Sequence, residues 1–220
     1  MAINIALVTQ KGGSGKTTIA ACLAGYWKSK EKKTCLVDAD PQQSATEWHK
    51  TGGRAIPIDV YTEPRTKYLT ELVSELEEQD VVLIDTAGFQ NQTAVEAAYL
   101  ADIILIPVKP SPMDIRAVGE TLGMLRKVGD VRLKEGREHA KIVFILNMVV
   151  PGTIIAKNAK DELSSMSGKV LRTEFRNRIA YPESFIGGTT PTFYEPRGAA
   201  AQEIEEAAQE IIEIAGETNG

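Results

Sequence analysis

Three long apolar runs constrain the fold of this chain more than any other feature of its sequence. They read DVVLIDTAG at 80–88, DIILIPV at 102–108 and KIVFILNMV at 141–149. A run without alternating polar residues is typical of a strand buried on both faces, as in parallel sheets covered by helices. Shorter or weaker runs of the same kind lie at 3–9, 33–40, 55–61 and 169–175.

Segments with helical character lie between these strands. Residues 17–27 follow the first strand, and at 67–78 apolar residues recur at helical spacing. The spaced residues are Leu69, Leu72, Val73 and Leu76. Strands that alternate with helices predict parallel pairing with right-handed crossovers. The sequence therefore predicts an α/β fold, with a mostly parallel, twisted sheet of about seven to eight strands and helices on both faces.

Length and composition predict one domain spanning residues 1–220. The chain has 220 residues, of which 43% are hydrophobic and 25% charged, enough to bury one substantial core. Its net charge of −5 argues against a surface coated with positive charge. We find no secretory leader and no apolar run of about 20 residues, so we expect a cytoplasmic protein without a membrane span. Cys22 and Cys35 lie in apolar surroundings, where we expect buried, reduced thiols.

The last predicted helix, at about 199–215, carries one apolar face and one acidic face. The apolar residues are Ile204, Ala207, Ala208, Ile211, Ile212 and Ala215, and the acidic residues are Glu203, Glu205, Glu206, Glu210 and Glu213. A helix that lies on anionic lipid carries basic residues instead. We therefore expect this helix to pack on the sheet.

The segment TQKGGSGKTT at 9–18 joins the first strand to the first helix and has the pattern of a phosphate-binding loop. Its glycines let backbone N–H groups turn inward around phosphate oxygens, and the helix start adds its dipole. The lysine that follows supplies a charge for the outer phosphates, and the first threonine hydroxyl suits Mg²⁺. The second threonine can donate to the α-phosphate. The predicted site residues here are Gly12, Gly13, Gly15, Lys16, Thr17 and Thr18.

Carboxylates follow two of the strands. Asp38 and Asp40 end the second strand, and Asp85 ends the fourth. Two carboxylates beside a triphosphate are repelled unless a metal or a water lies between, so one can position the attacking water and the other can support Mg²⁺. A turn with an Asp-Pro cap is the alternative for Asp38 and Asp40. Asp85 fits a carboxylate that holds Mg²⁺ through water, and Gly88 fits a switch loop at the γ-phosphate.

A second lysine precedes the glycines. The ordinary loop begins with glycine, but here that position is Gln10, and Lys11 follows it. Lys11 and Lys16 would crowd two ammonium groups into one phosphate cradle. If two copies of the chain meet face to face over their nucleotides, Lys11 can instead reach the phosphates of the other copy. This predicts a homodimer that ATP bridges.

These motifs resemble the ParA/MinD ATPases with a deviant Walker A box. KGGSGKTT is similar to that box, VDADPQQSA and LIDTAG to the next two motifs, and YPESFIGGTTPTFYEPRGAAAQEI to the C-terminal ParA stretch; together the resemblance covers residues 3–215. The resemblance implies that Lys11 acts in trans and that Asp38 orients the hydrolytic water. It also implies that Asp40 and Asp85 support Mg²⁺. Ser14 belongs to the nucleotide loop, and Asn147, in ILNMV, is implied to contact adenine.

The resemblance also implies a function. Proteins of this family are slow, Mg²⁺-dependent ATPases that dimerise on ATP and bind DNA without sequence preference. A ParB-like partner stimulates hydrolysis, and the cycle moves plasmids, chromosome origins or protein clusters over the nucleoid. We therefore expect a cytoplasmic protein that associates with the nucleoid when it holds ATP. The loop begins at residue 11, which leaves no room for an N-terminal helix-turn-helix.

One basic cluster is the candidate DNA surface. Its predicted residues are Lys169, Arg172, Arg176 and Arg178, which surround Glu174, with Arg197 further along the chain. A dimer doubles the cluster, so the release of counterions from DNA can supply affinity despite a negative net charge. A solvated strand edge is the alternative.

Three alternatives stay open at this stage. One is an ATP-dependent filament, because proteins of the ParA type can polymerise. A MinD-like, membrane-cycling ATPase is opposed by the acidic final helix. A metabolic ligase of the dethiobiotin synthetase type shares the loop but needs a small-molecule pocket and steady turnover without an activator.

Overall fold

An eight-stranded parallel sheet forms the centre of the computed structural model, which describes residues 2–52, 56–88 and 91–217. The predicted fold class is confirmed. The strands are β1 (Ile3–Leu7), β2 (Thr34–Asp38), β3 (Asp59–Thr62), β4 (Val81–Asp85), β5 (Ile103–Val108), β6 (Lys141–Val149), β7 (Lys169–Val170) and β8 (Phe175–Arg176). Their order is β3-β2-β4-β1-β5-β6-β7, and β8 pairs with β6 beyond β7.

Helices cover both faces of the sheet. They are α1 (Lys16–Ser29), α2 (Ser44–Gly52), α3 (Thr66–Glu75), α4 (Gln92–Leu100), α5 (Pro112–Lys134), α6 (Ile154–Ser164), α7 (Ala180–Ile186), α8 (Pro191–Tyr194) and α9 (Ala199–Gly216). Side chains alternate along a strand, so each strand feeds two cores. Ile5 and Leu7 pack under α1, α2, α7 and α9, whereas Ala6 and Val8 pack under α3 to α6.

Parallel pairing brings the predicted motifs to one edge of the sheet. In the strand register, Leu7 lies opposite Asp85, and Asp38 lies opposite Asp85 on the other side of β4. The loops that follow β1, β2 and β4 therefore leave the sheet side by side. Ligands bind at this carboxyl edge in open α/β sheets.

The predicted strand at 169–175 is two short strands instead of one. Between β7 and β8 the backbone N–H groups of Arg172 and Thr173 donate to the Glu210 carboxylate, at 2.7 and 2.9 Å, and not to a neighbouring strand. The Glu210 side chain from α9 thus takes the place of the hydrogen bonds that a neighbouring strand would supply at this position. The predicted strand at 55–61 is found at Asp59–Thr62, and Ala55 lies outside the described residues.

Helix α9 packs on the sheet as predicted, but its acidic residues do not all face solvent. Ile204, Ala207, Ala208 and Ile211 are buried, whereas Ile212 is partly exposed. Glu203 and Glu210 are buried too. Spacing alone placed these two glutamates on the polar face. They are buried because they bind the segment that follows β7.

Two smaller predictions are also testable in the fold. Cys22 and Cys35 are both free and buried, as predicted, and burial raises the pKa of the Cys35 thiol to about 12. In the described part of the chain, none of the helices combines the length and the apolar character that crossing a bilayer requires.

Candidate nucleotide site

The glycine loop between β1 and α1 adopts a conformation that only glycine takes readily. Gly13 and Gly15 have positive φ angles of 70° and 94°. Gly15 is also the N-cap of α1, and no side chain caps that helix start. The first N–H groups of a 14-residue helix therefore point out of the loop without a side-chain partner. An uncapped helix start of this kind binds anions such as phosphate.

A cavity of about 540 Å³ opens above this loop. Its lining residues come from the loop, from the segment after β2, from the segment after β4 and from the ends of β6 and α7. They are Gly12, Gly13, Gly15, Lys16, Thr17, Thr18, Asp40, Gln42, Ser44, Trp48, Ala87, Gly88, Met148 and Phe185. The size lies within the range of small-ligand sites. The structure therefore brings the predicted glycines, Lys16, Thr17, Thr18, Asp40 and Gly88 together around one cavity.

Lys16 carries a buried positive charge into this cavity. It is only 8% exposed, and no carboxylate of the described residues lies within 4 Å of its amine. Burial lowers the pKa of Lys16, while the negative charges of Asp85 and Asp40 oppose that change. A buried cation without a direct partner is costly. A phosphate group in the cavity would supply the missing negative charge.

Asp85 ends β4 beneath the cavity with both carboxylate oxygens buried and without a hydrogen-bond partner among the described residues. Burial raises the pKa of Asp85 to about 7, and the nearby Thr17 hydroxyl and Lys16 ammonium act in the opposite direction. Unsatisfied carboxylate oxygens beside a threonine hydroxyl fit the hydrated shell of Mg²⁺. Asp85, Asp40 and Thr17 are the residues that would hold the ion, through water or directly, where it would neutralise phosphate charge.

The buried carboxylate gives a pH-dependent prediction. A carboxyl whose pKa is raised in the folded state destabilises the fold as pH rises from its ordinary value towards about 7. We expect Asp85→Asn to increase the free energy of unfolding of the nucleotide-free protein by up to about 4 kcal/mol at pH 8. The gain should shrink as the pH falls from 8 to 5. Denaturant melts at several pH values measure it, with Asp80→Asn as an exposed control; a gain that does not depend on pH would contradict the assignment.

Asp38 is fixed by hydrogen bonds from Thr46 and does not line the cavity. It is completely buried, and its Oδ2 accepts hydrogen bonds from the backbone N–H and the hydroxyl of Thr46, both at 2.8 Å. Its Oδ1 accepts from the Asp40 N–H at 3.2 Å. The Thr46 hydroxyl also meets Thr62 at 2.8 Å. In this arrangement Asp40, and not Asp38, lines the cavity.

Asn147 supports the glycine loop in the structure. Its Nδ2 donates to the Ser14 carbonyl at 2.7 Å, and its Oδ1 accepts from the Met148 N–H at 2.9 Å. A Cβ atom at Gly15 would lie 2.2 Å from that Nδ2, so glycine is required for this close approach. Asn147 is not among the residues that line the cavity. Contact between Asn147 and adenine therefore stays a prediction.

Lys11 points away from the phosphate cradle. Its amine lies 2.6 Å from Asp114 at the start of α5. Asp114 is 6% exposed, whereas the Lys11 side chain is 41% exposed. The two loop lysines therefore have different surroundings: Lys16 lines the cavity, and Lys11 lies outside its lining, paired with Asp114.

The basic cluster predicted to bind DNA is paired with α9. Lys169 contacts Glu217, Arg172 contacts Glu210 and Glu213, and both Arg176 and Arg178 contact Glu203. Glu174, which the sequence places at its centre, pairs with Lys160. Arg197 is exposed and has no ion pair among the described residues. Sequence proximity could not indicate these pairs, because the glutamates are 25 or more residues away along the chain.

Several residues of the site were not predicted from the sequence. Trp48 and Phe185 stack at the rim of the cavity with ring centroids 5.0 Å apart. Thr46 and Asp114 hold the two residues predicted to act on the nucleotide. None of them belongs to a phosphate-loop motif. The one available signal was the pattern Ser111-x-x-Asp114, a capping box that marks a helix start.

Comparisons with known proteins identify the family of the chain. The family model for the "CobQ/CobB/MinD/ParA nucleotide binding domain" matches residues 5–211. The chain is 27% identical to the maintenance of carboxysome distribution protein A of Halothiobacillus neapolitanus, over 96% of this chain and 97% of that protein. It is 26% identical to the chromosome-partitioning ATPase Soj of Thermus thermophilus, over 94% of each.

Solved structures show the same fold. The septum site-determining protein MinD of Pyrococcus horikoshii, complexed with Mg-ADP, superposes with a TM-score of 0.74 at 21% identity over 98% of each chain. Apo McdA from Cyanothece gives a TM-score of 0.70 at 16% identity over 96% of this chain. The glycine loop, the two lysines, the strand-end carboxylates and these matches have one explanation: the chain belongs to the ParA/MinD family of P-loop ATPases.

Proposed function

We propose that this protein is an ATP-driven switch, built as one domain, that dimerises on ATP with Mg²⁺, binds DNA without sequence preference and positions a large cargo. A ParB-like partner stimulates hydrolysis and returns the protein to the monomer. The observation that carries the proposal is the separation of the two loop lysines. Lys16 lines the cavity, whereas Lys11 lies outside its lining, is 41% exposed and pairs with Asp114.

Exposed apolar side chains on the same edge of the sheet support dimerisation there. They are Met113 at the start of α5, Met148 and Val150 at the end of β6, Ile154 at the start of α6, and Ile179 and Ile186 at the two ends of α7. Met113 and Ile154 are 75% and 79% exposed. Large apolar side chains left exposed near a ligand site are typical of a protein–protein surface. A second copy seated on this edge of the sheet would bury these side chains together with the nucleotide.

The cavity residues have separate tasks in this proposal. The loop N–H groups and Lys16 bind the phosphates, and Thr17, Asp40 and Asp85 hold Mg²⁺, which neutralises the charge that develops on the phosphates. Lys11 of one copy contacts the phosphates bound to the other. Asp38 orients the attacking water, with its carboxylate fixed by Thr46.

The proposed DNA surface needs a narrower set of cations than the sequence suggested. Arg178 is mostly covered and fixes β8 to Glu203, so its main role is structural. Arg172 and Arg176 remain 79% and 51% exposed while paired, and Arg197 is exposed and unpaired in the described part of the chain. We propose that these three arginines, doubled in the dimer, contact phosphates, with Lys169 at the edge of the surface.

The experiment measures oligomeric state and DNA binding with ATP or ADP in the presence of Mg²⁺. We expect the protein to dimerise and to bind DNA with ATP but not with ADP. Replacing Arg172 and Arg176 by alanine should leave the dimer intact and reduce the slope of log affinity against log salt by about 0.9 for each lost phosphate contact. The matched control replaces Arg126 and Lys127, two exposed cations of α5. A monomer with ATP, or equal DNA binding by the Arg172/Arg176 variant, would contradict the proposal; sedimentation with anionic vesicles would indicate a membrane cycle instead.

A further inference from the structure

Asp114 has surroundings that its role in the helix cap does not explain. Ser111 is the N-cap of α5 and accepts a hydrogen bond from the Asp114 N–H at 3.1 Å, while the Ser111 hydroxyl donates to the Asp114 carboxylate. A carboxylate in the first turn is also stabilised by the helix dipole. The Asp114 N–H and carboxylate are therefore both bonded to the Ser111 side chain, which is the helix cap. The helix start therefore needs no lysine.

Lys11 is nevertheless bound to this carboxylate. Its amine lies 2.6 Å from Oδ2 of a side chain that is 6% exposed, which is a charge-assisted hydrogen bond in a partly covered position. The two residues are 103 positions apart in sequence, so tertiary structure and not chain proximity brings them together. Lys11 cannot keep this bond and also reach across to phosphates held by another copy.

We propose that Asp114 is a positioning residue for Lys11, which holds the lysine within its own subunit and competes with the nucleotide of a second copy. The inference rests on the proposed dimer. In the isolated subunit, Asp114 binds Lys11; in the dimer, the partner's phosphates take the lysine. When Lys11 leaves, the Asp114 carboxylate still accepts a hydrogen bond from the Ser111 hydroxyl. It is also still stabilised by the dipole of the helix.

Competition of this kind sets a threshold for dimerisation. A ligand shifts an equilibrium only by the difference in its binding free energy between the two states. The free energy needed to break the Lys11–Asp114 bond reduces the free energy by which ATP favours the dimer. The bond therefore opposes dimerisation by subunits that lack ATP. It acts on the encounter of two subunits and not on ATP binding by one subunit, because Asp114 lies outside the lining of the nucleotide cavity.

The experiment compares the dimer dissociation constant of Asp114→Asn with that of the unaltered chain, by analytical ultracentrifugation in saturating ATP and Mg²⁺. We expect the variant to dimerise about fivefold more tightly or better, the lower end of couplings between linked sites. ATP affinity of the dilute monomer, measured with a fluorescent analogue, should not change. Ser111→Ala is the matched control: it removes the cap hydroxyl but keeps the carboxylate, and it should not tighten the dimer.

Two further variants separate the alternatives. In the Lys11→Ala background, Asp114→Asn should have no effect on dimerisation, because no lysine is left to release. If Asp114→Asn does not fold, Asp114→Glu keeps the charge at the helix start but displaces the carboxylate, and it should tighten the dimer in the same direction. An unchanged or weaker dimer, or a gain that persists without Lys11, would overturn the role of Asp114. Normal dimerisation by Lys11→Ala alone would instead overturn the proposed contact of Lys11 with the phosphates of the other copy, on which this inference rests.

Discussion

With ATP and Mg²⁺, the Lys11→Ala protein is expected to stay monomeric at concentrations where the unaltered chain dimerises. Lys11 lies outside the cavity lining, so its removal leaves the loop N–H groups and Lys16 in place, and the monomer should bind ATP as before. The dimer loses one cation at each of its two phosphate sites. Truncating one partner of a buried charge contact at an interface costs about 2–5 kcal/mol, and the dimer has two such contacts.

Light scattering coupled to size exclusion measures the mass, and a fluorescent ATP analogue measures nucleotide affinity. Lys109→Ala is the control for general loss of charge, since its amine would lie 3.9 Å from a Cβ at Gly13, beside the same loop. That variant is expected to retain most of the dimer. A Lys11→Ala protein that still dimerises with ATP would remove the lysine from the interface.

Asp38→Ala is expected to abolish hydrolysis while the ATP-bound dimer accumulates. The substitution removes the group that orients the water but leaves Lys16, Thr17 and Asp85, so ATP and Mg²⁺ should still bind. Loss of a positioned catalytic carboxylate lowers turnover by roughly 100-fold or more. The measurement is phosphate release in single turnover, with the oligomeric state recorded in parallel.

Thr46→Val is the graded companion to this variant. It removes the hydroxyl that bonds Asp38 but keeps the backbone N–H that bonds the same oxygen. We expect a smaller decrease in turnover, with unchanged ATP affinity and an intact dimer. Hydrolysis by Asp38→Ala at the rate of the unaltered chain would exclude Asp38 from the reaction.

The fold could be predicted because the strongest sequence patterns, the apolar runs and the glycine loop, lie within short segments and agree with one another. The runs that became β4, β5 and β6 are apolar over most of their length and lack polar alternation, which is typical of strands covered on both faces. The phosphate loop was equally clear, since positive φ angles at Gly13 and Gly15 require glycine. Parallel pairing predicted that Asp38 and Asp85 lie at the same edge of the sheet, and the structure shows that their strands are neighbours.

What the sequence could not indicate are contacts between distant segments. The glutamates at 203 and 210 have the spacing of a solvent-facing helix side, yet they bind the backbone and the arginines beyond β7. The basic cluster looked free because its partners lie on α9. Likewise, nothing near Lys11 in the chain points to Asp114. A charge that pairs across the fold leaves no periodic pattern, so its partner is visible only in the structure.

The most direct test of a lysine that acts across the dimer mixes two inactive variants. Lys11→Ala retains Asp38 but lacks the lysine, whereas Asp38→Ala retains Lys11 but lacks the carboxylate. If Lys11 acts on the partner's nucleotide, each mixed dimer contains one complete site, and ATP hydrolysis returns when the two proteins are combined. If Lys11 acts on the nucleotide of its own subunit, every site in the mixture lacks one of the two groups, and the mixture stays as inactive as its components.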